Sequence, residues 1–156
     1  VSTGTLDDGI AKAIEVGTPL VSKRIASLHW LQDNGYRTFG MVCPSLPQYD
    51  YGQFARNMAE ALRYDRCEHV WAEVINARGE SFMRTKLALS GAGYHREAAA
   101  FSEVSRNPEA WERYARDTFT AHAEVCPPDK LRFLQYVNAG NRDWWHVRQS
   151  QGAVIL

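Results

Sequence analysis

With 156 residues, 45% of them hydrophobic and 23% charged, the chain has the length and composition of one globular domain that builds its core without metal or disulfide support. Lys plus Arg and Asp plus Glu both total 18, so no overall field draws the chain onto nucleic acid or an anionic membrane, although a local basic patch is compatible with that balance. No run approaches the roughly 18 apolar residues of a membrane span, the start does not read as a targeting peptide, and the widely spaced Cys43, Cys67 and Cys126 point to free thiols in a reducing, cytoplasmic setting.

In chain order, Val1 to Thr5 reads as a strand running into a helix that Asp7 or Asp8 caps and Gly17-Thr18-Pro19 breaks. Ser22 is placed to cap a second helix, with Ile25, Leu28 and Leu31 as its apolar stripe and Asn34-Gly35 as its stop. Tyr36 to Cys43 is a compact apolar run that stops at Pro44, as a buried strand does. Tyr51 to Tyr64 sets Phe54, Met58, Ala61 and Leu62 on one helical face. Glu68 to Asn76 alternates, with Val70, Ala72 and Val74 to one side and Cys67, His69, Trp71, Glu73 and Ile75 to the other.

This strand–helix rhythm predicts an α/β fold of parallel strands joined by right-handed crossovers. The expected architecture is a single domain built on a partial (β/α) barrel-like sheet of three or four strands. Residues 1–80 carry its βα units and 81–156 form a mostly helical extension. In that second part Tyr94 to Ser105 is one helix. Asn107-Pro108-Glu109 starts another that carries Trp111, Tyr114, Ala115, Thr118 and Phe119. Leu131 to Val137 reads as a last strand, and Trp144-Trp145 precede an apolar end from Ala153 to Leu156.

Several short motifs then fall in a fixed order: Thr5-Leu6-Asp7-Asp8, Glu15-Val16-Gly17-Thr18-Pro19, Lys23-Arg24-Ile25, Asn34-Gly35-Tyr36 and Val42-Cys43-Pro44-Ser45-Leu46-Pro47. Glu73-Val74-Ile75-Asn76-Ala77-Arg78-Gly79 and Lys130-Leu131-Arg132-Phe133-Leu134 follow. The set resembles the middle of radical S-adenosylmethionine enzymes, in the branch that includes spore photoproduct lyase and related phage proteins. The resemblance implies a partial barrel of about six strands, of which this chain supplies the fourth onward. It departs at one point: the family's C-x3-C-x2-C triplet, which holds the iron–sulfur cluster, has no counterpart, since Cys43, Cys67 and Cys126 lie tens of residues apart. No cofactor is therefore expected on this chain alone; S-adenosylmethionine and a cluster enter only with an upstream half. Carried over by position, Ser2 or Thr3 would meet the ribose, and Lys23 or Arg24 the amino-acid carboxylate. The alternative is that Ser2 and Thr3 cap a helix and Arg24 is surface charge.

Glu73 shares its strand face with His69 and Trp71. An acid facing inward on a parallel sheet is either a substrate or cofactor contact, with Asn76 and Arg78 just beyond, or one half of an ion pair with an arginine. Cys67, His69 and Glu73 do not make a metal site, because a structural zinc centre wants four ligands and the five histidines do not cluster. Cys43 has no neighbouring charge in sequence to activate it and reads as a small buried hydrophobe.

Arg132, Phe133, Tyr136, Arg142, Trp144, Trp145 and Arg148 interleave cations with aromatics. Such a mixture can stack single-stranded bases, pack over an apolar face, or anchor a protein partner. Zero net charge favours packing or a protein interface over nucleic acid, with Trp144, Trp145, Arg142 and Arg148 as candidate partner-binding residues. Two functions follow. One is a non-catalytic protein-binding module on a truncated half barrel, as in a phage-type inhibitor or accessory protein, whose uncovered surfaces are closed by a protein partner or by self-association. The other is the carboxy-terminal part of a radical enzyme acting on DNA or another substrate, with its iron–sulfur half outside this chain.

Overall fold

Two adjacent acids organise the start of the chain in the computed structural model, which describes residues 1–76 and 80–156. Asp7 accepts from the amides of Gly9 at 2.7 Å and Ile10 at 2.9 Å and so caps α1 (Asp8–Ile14). Asp8 accepts from the Ser22 amide at 2.9 Å and from the Ser22 hydroxyl at 2.5 Å. Those bonds hold the Asp8 carboxyl below its usual range. α2 (Val21–Asp33) therefore begins one residue before Ser22. A carboxylate from the preceding helix, and not Ser22, satisfies its first-turn donor.

The sheet contains β1 (Phe39–Ser45), β2 (His69–Val74), β3 (Leu131–Gln135) and β4 (Ala153–Ile155), in the order β1-β2-β3-β4 with every pair parallel. The expected strand at Val1 to Thr5 shrinks to a parallel bridge between Ser2 and Met41, beside the Thr3 amide's bond to the Met41 carbonyl at 2.9 Å. It stops there because the Thr3 hydroxyl donates to the Thr5 carbonyl and turns the chain toward α1. β1 runs past Pro44, which lacks a ladder donor and falls where the register with β2 shifts. α3 (Tyr51–Leu62) and a 3-10 turn (Tyr64–Arg66) join β1 to β2. α4 (Ser81–Gly91), α5 (His95–Val104) and α6 (Pro108–Val125) join β2 to β3, while α7 (Arg142–His146) and a second 3-10 turn (Gln149–Gln151) join β3 to β4. The Asn107 side chain accepts from the Ala110 amide at 2.7 Å, the cap that Asn-Pro predicts. Neither α4 nor β4 stands out in the sequence; β4 has too few residues for a period to show.

Parallel strands in sequential order, joined by crossovers of one hand, place their helices on one side of the sheet. Burial follows that rule. Val42, Val70, Ala72, Leu131, Phe133 and Ala153 join Met58 and Leu62 of α3 and Ala115 and Phe119 of α6 in one core. A second cluster, with Leu46, Ile75, Phe82, Phe101 and Tyr114, covers the carboxy-terminal ends of β1 and β2. There the Tyr114 hydroxyl donates to the Ser45 carbonyl and accepts from the Ile75 amide at 3.1 Å, tying the two strand ends together.

Three sequence expectations are corrected by this packing. Cys67 and Ile75 are buried in these clusters, because the two-residue alternation holds only within His69–Val74. Cys67 therefore shares no face with His69. Trp145, expected at an exposed anchor, is 0% exposed. Its ring stacks on Phe133 with centroids 5.7 Å apart and meets Phe119 edge-on at 5.5 Å.

Candidate site on the open sheet face

Strand register arranges the side of the sheet away from the helices. Phe39 pairs with His69; Met41 pairs with Trp71, which pairs with Arg132; Glu73 pairs with Leu134, which pairs with Val154. In-register neighbours on parallel strands share a face, so these side chains form rows across the sheet, and Ser2 extends the Met41 row at the edge. Phe39 is 42% exposed and Met41 38%, although parallel sheets ordinarily bury both faces. Phe39 and His69 stack with ring centroids 6.1 Å apart, and His69 Nδ1 is buried without a hydrogen-bond partner among the described residues. The face is thus largely apolar and aromatic, with His69 and Arg132 toward its amino-terminal end and Glu73 at its carboxy-terminal edge.

Glu73 sits at that edge. It is half-buried, and burial pushes its carboxyl up from the usual carboxylate range. No ion pair to Glu73 forms among the described residues, so the expected arginine partner is not found there; Arg78 lies outside the described residues. Burial, followed by the nearby Glu73 carboxylate, pushes the Cys43 thiol up to about 12. Cys43 is therefore a neutral thiol at neutral pH and not an activated nucleophile. The Ser2 hydroxyl donates to the Cys43 carbonyl at 3.2 Å, which brings Ser2, Cys43 and Glu73 together at one end of the sheet.

The other positions carried over from the radical-enzyme resemblance behave differently. Thr3 is buried, with its hydroxyl committed to its own turn. Arg24 donates to the Ser2 carbonyl at 2.6 Å and to Glu15 at 2.7 Å, while its Nε stays buried without a partner. Its fork already serves to fasten the edge strand to α1. The set therefore offers a hydroxyl and a carboxyl to a ligand but no open guanidinium fork, and the expected carboxylate contact of Arg24 does not fit this arrangement.

Trp144, Arg142 and Arg148 lie elsewhere, on α7 and just beyond it, on the helix side. Trp144 is half-buried and lies between two guanidiniums, Arg148 at 3.5 Å and Arg116 at 4.8 Å from its ring centroid. Arg142 is exposed. The two groups of candidate residues thus occupy opposite faces of the sheet. Phe39, Met41 and Leu134 were not singled out by sequence reasoning. Their signal was present in the alternation of Phe39, Met41 and Cys43 with Gly40 and Val42.

Among the described residues, no group of three or more His, Cys, Asp or Glu side chains converges as a metal site would require, and no helix is long and apolar enough to cross a membrane. The chain matches no protein-family model, no curated protein and no solved structure.

Proposed function

We propose that the chain is one half of a (β/α) barrel, the carboxy-terminal part of an enzyme of radical S-adenosylmethionine type, and that its open sheet face is a wall of the reaction chamber. One observation carries this reading: sequential parallel strands with helices on a single side present Phe39, Met41, His69, Trp71 and Glu73 on the uncovered side. In closed barrels that side faces the interior, and chemistry gathers at the carboxy-terminal strand ends, where Glu73 and Ser2 lie. The iron–sulfur cluster, held by the complementary half, would supply the reductive cleavage of S-adenosylmethionine. This chain contributes an apolar wall that excludes water and a protonatable carboxyl that orients substrate. The resembled family gives the reaction type, and the substrate class follows from it only as far as DNA or another hydrogen-atom donor.

The test joins the chain to a separately expressed half barrel bearing the C-x3-C-x2-C loop, under anaerobic conditions with iron and sulfide. The expected result is a stable complex in which hydrogen exchange slows at β1 and β2, together with turnover of S-adenosylmethionine that the chain alone does not support. Absence of a complex refutes the reading. A second function rests on the exposure of Phe39 and Met41: a non-catalytic module that docks a protein partner or a second copy on the same apolar face. Binding of a cluster-free protein over that face, with no turnover in the joined complex, favours this second function.

A further inference from the structure

A groove of about 770 Å³ opens at the amino-terminal ends of β3 and β4, the end of the sheet opposite Glu73. Its volume is that of a small-molecule site. Phe119 and Ala123 of α6, with Leu131 and Ala153 at the strand starts, give it an apolar floor. Arg132 and Arg148 line the same groove. Each is half-buried and pinned by backbone: Arg132 donates to the carbonyls of Asp129 at 2.7 Å and Leu131 at 2.8 Å, and Arg148 to that of Trp144 at 2.9 Å. Neither forms an ion pair among the described residues, whereas Arg24, Arg37, Arg63, Arg66, Arg84, Arg106 and Arg116 all do. The acids of the lining, Glu124 and Asp129, are exposed to solvent, which screens them.

Two guanidiniums that are held in place but not neutralised, beside an apolar floor, suit one kind of ligand. We propose that the groove binds a carboxylate carried on a flat apolar body. Arg132 and Arg148 grip the carboxylate through the N–H groups their backbone bonds leave over, and Phe119, Ala123 and Leu131 cover the body. Orientation then comes from the charge-assisted bonds and most of the affinity from the buried ring. The site is independent of the barrel reading, because it lies at the amino-terminal end of the strands, away from Glu73 and Ser2, and of the open-face rows it shares only Arg132 and Val154.

The experiment is a titration of the 15N-labelled chain with 2-naphthoate and, separately, with neutral 2-naphthamide, following amide shifts. Naphthoate is expected to shift the amides of Thr120, Ala123, Gly152 and Val154 saturably and to bind at least about tenfold more tightly than the amide, the margin of one charge-assisted bond. Arg132→Gln and Arg148→Gln are each expected to remove about that margin for the acid and to leave the amide unchanged. Because Arg148 also packs on Trp144, a third variant fills the groove from α6: Ala123→Leu is expected to abolish binding at an unchanged melting temperature. The proposal is overturned by equal affinity for acid and amide, by acid binding that survives both arginine substitutions, by shifts confined to Trp71 and Leu134, or by no binding.

Discussion

The indole Nε1–H of Trp145 donates to Oε1 of Glu112 at 3.2 Å, across the junction between α7 and α6. The same carboxylate oxygen accepts from Arg116 at 2.8 Å, and the other oxygen of Glu112 accepts from Asn141 at 2.8 Å. One half-buried acid therefore satisfies the polar edge of a fully buried ring and fixes the entry to α7. A tryptophan with its N–H answered in this way belongs to the core, whatever the polarity of its sequence neighbours.

Trp145→Ala is accordingly expected to cost about 3–5 kcal/mol of folding stability, the range for a large aromatic removed from a core. Trp144→Ala, which loses its stacked arginines and the edge contacts of a half-buried ring with Trp145 and Phe119, is expected to cost less, about 1–2 kcal/mol. Urea unfolding of the single variants checks the order; equal losses would mean that the two rings share one environment.

His122 gives a pH prediction. It is 0% exposed, Nδ1 contacts the Tyr64 hydroxyl at 3.2 Å, and Nε2 has no partner among the described residues. Burial pushes its pKa down from 6.5 to about 4. A histidine that titrates lower when folded binds its proton more readily when unfolded. Its contribution is thus complete above pH 6.5 and is lost as pH falls toward 4, by about 3 kcal/mol. Stability measured in urea from pH 8 to 4 should fall through this window, and His122→Gln should flatten the fall. A wild-type slope that the variant leaves unchanged would assign the acid sensitivity to carboxylates.

Gly152 holds β4 in place. Its φ is +104°, and a Cβ built there would lie 2.6 Å from the Leu131 carbonyl oxygen. Gly152→Ala must therefore strain the backbone and push the strand away, at an expected cost of about 2–3 kcal/mol, with faster amide exchange in β4. Gly17 also has a positive φ, of +80°, but nothing within 4 Å, so Gly17→Ala should cost only about 1 kcal/mol. Calorimetric melting of both variants separates steric crowding from φ strain.

Phe39→Lys combined with Met41→Lys tests the open face. Substitutions of exposed residues ordinarily change stability by less than about 0.5 kcal/mol each. The double variant should therefore melt near the wild-type temperature while losing any self-association or binding of a hydrophobic dye at that face. A large drop in melting temperature would mean that this face is covered by the chain itself.

Much of the architecture was legible locally because it depends on local physics. The compact apolar run of β1, the alternation within β2, the Asn107-Pro108 helix start, and the apolar stripe of Tyr114, Ala115, Thr118 and Phe119 each express a composition, a period or a cap that neighbouring residues fix. Glu73 could be placed on the same strand face as His69 and Trp71 for the same reason. The Asp8–Ser22 cap could not, because it spans two helices and depends on how they meet. Nor could Ser22 be told from a cap residue by its own neighbours.

What the sequence by itself determined is the type of most longer elements, α4 excepted, and the alternation of helix with strand, since both arise from backbone geometry and side-chain period over a few residues. The tertiary structure decided which aromatic of Trp144-Trp145 is core and which is clasped by arginines, and which strand face stays open. It also decided that Arg24 is spent on Ser2 and Glu15. The buried ring of Trp145 depends on Phe119 and Glu112, and the fork of Arg24 on Ser2, partners far away in the sequence. Burial and hydrogen-bond satisfaction belong to the packed whole, and a residue's own neighbours in sequence carry no record of them.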